Sequence, residues 1–288
     1  MRLRGPGAKL KCGYIAITFS ATARCGRPGR GFWGGSWGPI SALDGKGCLW
    51  TPRKISRAAV RVWDHRGVEE IDMTYTVYGA AGSGSVPVEA ALTLIGAPFE
   101  VVEAVTWEGE AERDKVAPVN PMRQIPALIT PEGETITESA AILIWLAERH
   151  PEAALGPEPC DPRRGQFLRW MTFIPASIYS MYWVRDDPSR LGGDDPAAQA
   201  TIRARTAERI AECWARMESR ITPDRFLLGP ELTVLDLYVA VASRWTPHRA
   251  RFHQVAPRMG EVVRRVDALP ELQSFWARRF PFEGNYAG

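Results

Sequence analysis

From residue 73 onward, apolar and polar positions divide the chain into short segments of changing period. Tyr75-Thr-Val-Tyr78 predicts a strand, Gly79–Ser85 a Gly-Ser loop, and Pro87–Ile95 an apolar helix opened by proline and stopped by Gly96. Valine-rich Phe99–Ala104 predicts a second strand, and Glu110–Val116 a short variable helix. Ala127–Thr130 and Thr135-Ile136, joined by the turn Pro131-Glu-Gly-Glu134, predict a hairpin that runs straight into a helix at Thr137–Leu146. Beyond the Pro-rich linker Pro151–Pro162 every periodic segment is helical. These are an aromatic-rich helix at Gly165–Arg185 with a kink expected at Pro175, a long amphipathic helix at Ala197–Ile221, and short helices at Pro257–Asp267 and Pro270–Arg279. No segment reaches the roughly 18 apolar residues that span a membrane.

Residues 1–72 show little sustained periodicity of either kind. They carry 13 Lys and Arg against 5 Asp and Glu, whereas the remainder carries 23 against 28, so the charge balance changes sign at the point where the periodic pattern begins. Twelve of the 26 glycines also fall here, and the segment is expected to be a disordered, basic, Gly-rich extension. Three accounts of it remain open. Met73, directly before the first strand, is the favoured true start, which makes the extension a mis-called one. The others are a targeting segment, with basic Met1–Lys11 before the weakly apolar Gly13–Phe19, and a basic tail bearing Trp33, Trp37 and Trp50 for stacking on nucleic acid or resting on anionic membrane. A plain solvated tail is favoured over that last account.

The chemistry concentrates in Gln124-Ile125-Pro126 and, twelve residues on, Glu138-Ser139. An X-Pro bond is the one common site of a cis peptide, and a cis turn here would free the N–H and C=O of Ile125 to pair with an extended peptide. Thr137, Glu138 or Ser139 is suited to cap the following helix, whose first-turn N–H groups and dipole favour a carboxylate. Taken alone, the Glu-Ser pair reads as ordinary capping. Thr233-x-x-Asp236 is a capping box, with Leu232 placed to staple against Leu237, and it is assigned to stability. Among the five cysteines, Cys12, Cys25, Cys48, Cys160 and Cys213, none lies in the loop before Pro87, which argues against mixed-disulfide chemistry through an enzyme thiol. His65, His150, His248 and His253 show no metal-ligand spacing, and no metal is expected.

Asn120-Pro121 through Gln124-Ile125-Pro126-Ala127-Leu128, then Thr137-Glu138-Ser139-Ala140-Ala141-Ile142, then Leu227-Leu228-Gly229-Pro230 with Thr233-Val234-Leu235-Asp236-Leu237, resemble in kind and order the motifs of cytosolic-type glutathione transferases. The resemblance covers residues 73–288 and points to a serine-type bacterial member. It implies an α/β thioredoxin-like N-terminal domain at 73–152, which binds glutathione, and an all-α substrate domain at 163–288. It also implies that Ile125, beside Pro126, pairs its backbone with the cysteinyl unit of glutathione. Glu138 and Ser139 would take the γ-glutamyl ammonium and carboxylate, and Gln124 and Arg123 would lie near the glycine carboxylate. A free thiol of pKa near 8.5 is only roughly 3% thiolate at neutral pH, and lowering that value by two units is worth about 2.7 kcal/mol, so stabilising the anion is the main task. Ser85, two residues before Pro87, has the spacing of the serine-type donor. Ser83 is the alternative. Tyr78 and Tyr75 are rival donors, though packing in the first strand is the stronger reading of both. Tyr179, Tyr182 and Trp183 would line the electrophile pocket. The expected whole is a cytoplasmic, homodimeric detoxification transferase that uses glutathione as co-substrate against a small apolar electrophile, without nucleic acid or membrane partners. The alternatives are a non-catalytic binding or regulatory protein of the same fold and a glutathione-dependent reductase or isomerase.

Overall fold

The computed structural model describes residues 62–63, 69–70 and 73–281. The chain divides into two units, Met1–Arg57 and Ala58–Gly288, and the second contains every described residue. The expected disordered extension lies outside the described residues except for strands β1 (Val62–Trp63) and β2 (Glu69–Glu70), which pair antiparallel.

The main sheet has β3 (Tyr75–Gly79) and β5 (Ala127–Ile129) at its centre, flanked by β4 (Phe99–Glu103) and β6 (Thr135–Thr137), in the order β4-β3-β5-β6. β3 and β4 are parallel with Val77 opposite Val101, while β5 runs antiparallel to β3 with Leu128 opposite Val77. A parallel pair needs a crossover, and helix α1 (Val86–Ile95) supplies it, ending as expected at Gly96 in the left-handed region, whose N–H bonds to the carbonyls of Leu92 and Thr93. α2 (Glu110–Val116) comes after β4, and α3 (Ser139–Arg149) leaves the β5–β6 hairpin. This half is thioredoxin-like.

The second half is all helix: α4 (Arg164–Ile174), α5 (Ser180–Asp186), α6 (Ser189–Gly192), α7 (Pro196–Glu218), α8 (Val234–Ala242), α9 (His248–Val255), α10 (Pro257–Asp267) and α11 (Gln273–Arg279). The expected kink at Pro175 takes the form of a π turn, Pro175–Tyr179, which joins α4 to α5. A proline inside a helix removes a donor and clashes with the preceding turn, and a widened turn accommodates both. Every residue of α8 is buried, because α1, α3, α4 and α10 pack around it. Its capping box forms. Asp236, wholly buried, accepts from the N–H groups of Thr233 and Leu227 and from the Thr233 hydroxyl, all at 2.8 Å, while burial pushes its carboxyl up to about 6. One apolar core runs from Tyr75 and α1 through α3 into α8 and α10, so both halves share it.

Candidate functional site

The Ile125–Pro126 peptide is cis. Asn120 shapes the turn before it, donating from Nδ2 to the Gln124 carbonyl at 2.8 Å and accepting the Met122 N–H at 3.0 Å. Among the described residues, neither the N–H nor the C=O of Ile125 has a hydrogen-bond partner. A Cβ built on Gly84 would lie 3.7 Å from Pro126 Cδ, 3.7 Å from Tyr179 Cε2 and 4.0 Å from the Ile125 carbonyl oxygen. The Gly-Ser loop, the Ile-Pro turn and the π turn therefore converge on one spot. Glu138 stands exposed at the start of α3 with φ 68°, and Ser139 is buried with its hydroxyl 2.7 Å from the Tyr238 hydroxyl. The first-turn N–H groups of α3 have no partner within the helix, as at any helix start.

The loop beneath this spot is held by a buried polar chain. Ser85 is fully buried and donates to Glu89 Oε1 at 2.7 Å. Ser83 is buried as well, its Oγ 2.9 Å from that of Ser85 and accepting the Ser85 N–H at 3.1 Å; the Ala80 N–H lies 3.3 Å from Ser83 Oγ and 3.2 Å from Ser85 Oγ. Glu89 has no exposed surface, and Arg279 closes on it with Nε 2.5 Å from Oε2 and Nη2 3.1 Å from Oε1, while also pairing with Glu103. Burial works to lower the Arg279 pKa, but the hydrogen bonds and charges of Glu89 and Glu103 outweigh it and the net shift is upward. Gly82, at φ 71°, is gripped from the helical half: its N–H donates to the Arg279 carbonyl and its carbonyl accepts from Trp245 Nε1, both at 2.8 Å.

Sequence pattern does not single out Glu89, Arg279, Trp245 or Tyr238. Glu89 has a local signal, as the only charged residue of α1 and four positions beyond Ser85. Arg279 lies 190 residues from it and has none.

The remaining candidates separate. Arg123, at φ 58°, is paired with Glu110 and Asp114 of α2, each at 2.7 Å, and Gln124 is exposed. Tyr179 meets Tyr238, Trp245 and Tyr182 edge to face, with centroids 5.2, 5.0 and 6.3 Å apart, and Tyr182 donates to the Thr246 carbonyl at 2.7 Å. Burial pushes all three tyrosine hydroxyls upward, so they stay neutral. Trp183 stands apart, 52% exposed beneath the Arg190 guanidinium at 4.9 Å. Tyr75 bonds to His150 Nε2 at 2.9 Å, and Tyr78 packs in a small core with Ala104, Val116 and Ala127.

The sequence profile of the Glutathione S-transferase, N-terminal domain family matches residues 82–149, which carry the loop, the Ile-Pro turn and the start of α3. A maleylpyruvate isomerase from Ralstonia sp is 35% identical over 190 residues, covering 64% of this chain and 86% of the isomerase. The chain belongs to the cytosolic glutathione S-transferase superfamily. Within that superfamily it is also similar to the uncharacterized GST-like protein YncG of Escherichia coli strain K12, at 29% identity over 70% of this chain and 97% of YncG. Among solved structures, a glutathione transferase homolog from Sulfitobacter with bound glutathione superposes with a TM-score of 0.63 at 22% identity, over 72% of this chain and 98% of that one. A sphingomonad glutathione S-transferase complexed with glutathione gives 0.57 at 23% identity, over 71% and 98%. These two likenesses concern the fold, which is the transferase architecture of a thioredoxin-like half followed by a helical half.

Proposed function

We propose that this chain binds glutathione in the cleft between the Ile125–Pro126 turn, the start of α3 and the Gly82–Ser85 loop, and stabilises its thiolate for attack on a small apolar electrophile. The observation that carries this reading is the convergence at Gly84: an unpaired peptide group at Ile125, the serine loop and the ring of Tyr179 lie within 4.0 Å of one point. In this reading Ile125 pairs with the cysteinyl unit as an added strand does. Ser139 and the first-turn N–H groups of α3 take the γ-glutamyl carboxylate, and exposed Glu138 takes its ammonium. Gln124 is left to the glycine carboxylate, because Arg123 is already engaged by Glu110 and Asp114. Ser83 and Ser85 belong to the thiol-activating loop, and Tyr179 and Tyr182 with Trp245 form the electrophile wall.

Retention on immobilised glutathione, with calorimetric titration of free glutathione, tests the reading. A folded protein that binds no glutathione overturns it and leaves a non-catalytic member of the fold. The likeness to a maleylpyruvate isomerase favours a second reading, glutathione-dependent isomerisation, in which the thiolate adds to a conjugated double bond, permits rotation and leaves again. Turnover assays with an aromatic halide, an organic peroxide, a disulfide and a maleyl-type cis-enedioic acid separate transferase, reductase and isomerase. A cytoplasmic homodimer is part of the same proposal, and sedimentation equilibrium of the full chain reads the assembly.

A further inference from the structure

Thiolate stabilisation by a hydroxyl requires a proton free to turn toward sulfur, and the loop holds two serines that compete for the part. Resting on the glutathione reading, we propose that Glu89, charge-paired with Arg279, is the positioning residue that decides between them: it retains the proton of Ser85 and leaves Ser83 as the donor to the thiol.

A serine hydroxyl has one proton and two lone pairs. Ser85 Oγ lies 2.7 Å from Glu89 Oε1, and an ionised carboxylate only accepts, so the Ser85 proton rests on Glu89 in a charge-assisted bond roughly twice as strong as a neutral one. Ser83 Oγ already accepts the Ser85 N–H at 3.1 Å and shares the Ala80 N–H at 3.3 Å. With both lone pairs used, its proton points to the one neighbour left, Ser85 Oγ at 2.9 Å. The resting order is therefore Ser83 to Ser85 to Glu89. A thiolate is a better acceptor than a neutral hydroxyl. Ser83 would exchange a neutral bond for a charge-assisted one by turning to it, whereas Ser85 would have to abandon a carboxylate. Among the described residues, Arg279 is the cation that closes on Glu89, through Nε and Nη2, and it reaches Glu103 of β4 with its other nitrogen. Arg279 also holds the loop itself, since its carbonyl takes the Gly82 N–H at 2.8 Å. The proton order and the loop position thus depend on the same C-terminal residue.

The experiment tracks the ultraviolet absorbance of the bound glutathione thiolate against pH in the full-length protein. Wild type serves as the arm for the underlying reading, because absence of glutathione binding there sinks that reading and not this one. With binding present, Ser83→Ala is expected to raise the pKa of the bound thiol by about one unit, a roughly threefold loss of thiolate at pH 7 for a thiol held about two units below 8.5, and Ser85→Ala by clearly less. In the Glu89→Gln background the amide donates to Ser85 Oγ, the Ser85 proton leaves the carboxylate with only the longer contact to the Ala80 carbonyl at 3.3 Å to hold it, and the gap between the two alanine variants narrows. A merely structural Glu89 would lower stability or affinity without closing that gap. A Ser85→Ala shift equal to or larger than that of Ser83→Ala overturns the proposal, as does a gap unchanged by Glu89→Gln. Where Glu89→Gln does not fold, the comparison of the two alanine variants in the wild-type background decides.

Discussion

Replacing Arg279 by leucine removes the cation that closes on Glu89, and the structure indicates a large cost. Glu89 has no exposed surface and the Arg279 side chain is 16% exposed, so water replaces the guanidinium poorly. Removing one partner of a buried pair leaves an uncompensated charge and costs about 3–5 kcal/mol, far above the roughly 0–1 kcal/mol of a surface pair. The Gly82 contact survives, because it uses the Arg279 carbonyl rather than the side chain. Urea unfolding monitored by tryptophan fluorescence measures the loss. If the cost arises from stranded charge, Glu89→Gln combined with Arg279→Leu must cost less than the two single changes added together, by about 2–3 kcal/mol. A loss below about 1 kcal/mol for Arg279→Leu, or strict additivity in the double variant, refutes the argument and makes the pair a solvated bridge.

Asp236→Asn puts an amide group where three donors point and is expected to destabilise the fold by about 1–3 kcal/mol at pH 7, read by urea unfolding. Because burial raises the Asp236 carboxyl to about 6 from its ordinary 3.8, its favourable contribution is complete below pH 3.8 and is lost as pH rises through 6; wild type should gain about 2 kcal/mol over the asparagine variant between pH 7 and pH 4.5. A pH-independent difference would show that the donors, not burial, set the carboxyl. Gly84→Val should abolish glutathione binding by calorimetry while leaving the circular dichroism spectrum intact, since a Cβ there makes ordinary contacts at 3.7 Å but γ-methyls would press on Pro126 and Tyr179. Trp245→Phe removes the donor to the Gly82 carbonyl and should cost about 1 kcal/mol, with a weaker apparent affinity for glutathione in the same titration.

Much of the fold is legible in the sequence because its signals are local. Gly96 stops α1 through its own left-handed backbone, Thr233 and Asp236 cap α8 within four residues, and the X-Pro pair at Ile125–Pro126 marks a turn, although only the structure shows its bond to be cis. The same locality explains the misses. The kink expected at Pro175 gives no sign of its π form, and it is packing that separates two neighbours about 100° apart on α5: Tyr182 joins Tyr179 in the aromatic cluster while Trp183, one residue on, stands exposed. Helices α6 and α9 escape a reading by pattern because neither opens with a side-chain cap or shows a sustained apolar stripe.

The chain by itself determined the order of elements in the thioredoxin-like half, the glycine that stops α1, the capping pair of α8, and the loop and turn that bear the candidate chemistry. Periodicity, prolines, glycines and capping pairs encode these within a few residues. Which serine proton is free, what clamps Gly82, and which hydroxyl meets Ser139 were decided only by the tertiary structure. Glu89 with Arg279, Gly82 with Trp245, and Ser139 with Tyr238 join residues 190, 163 and 99 positions apart. Spacing along the chain carries no information about such pairs, because it is the shared core that brings them within hydrogen-bond reach.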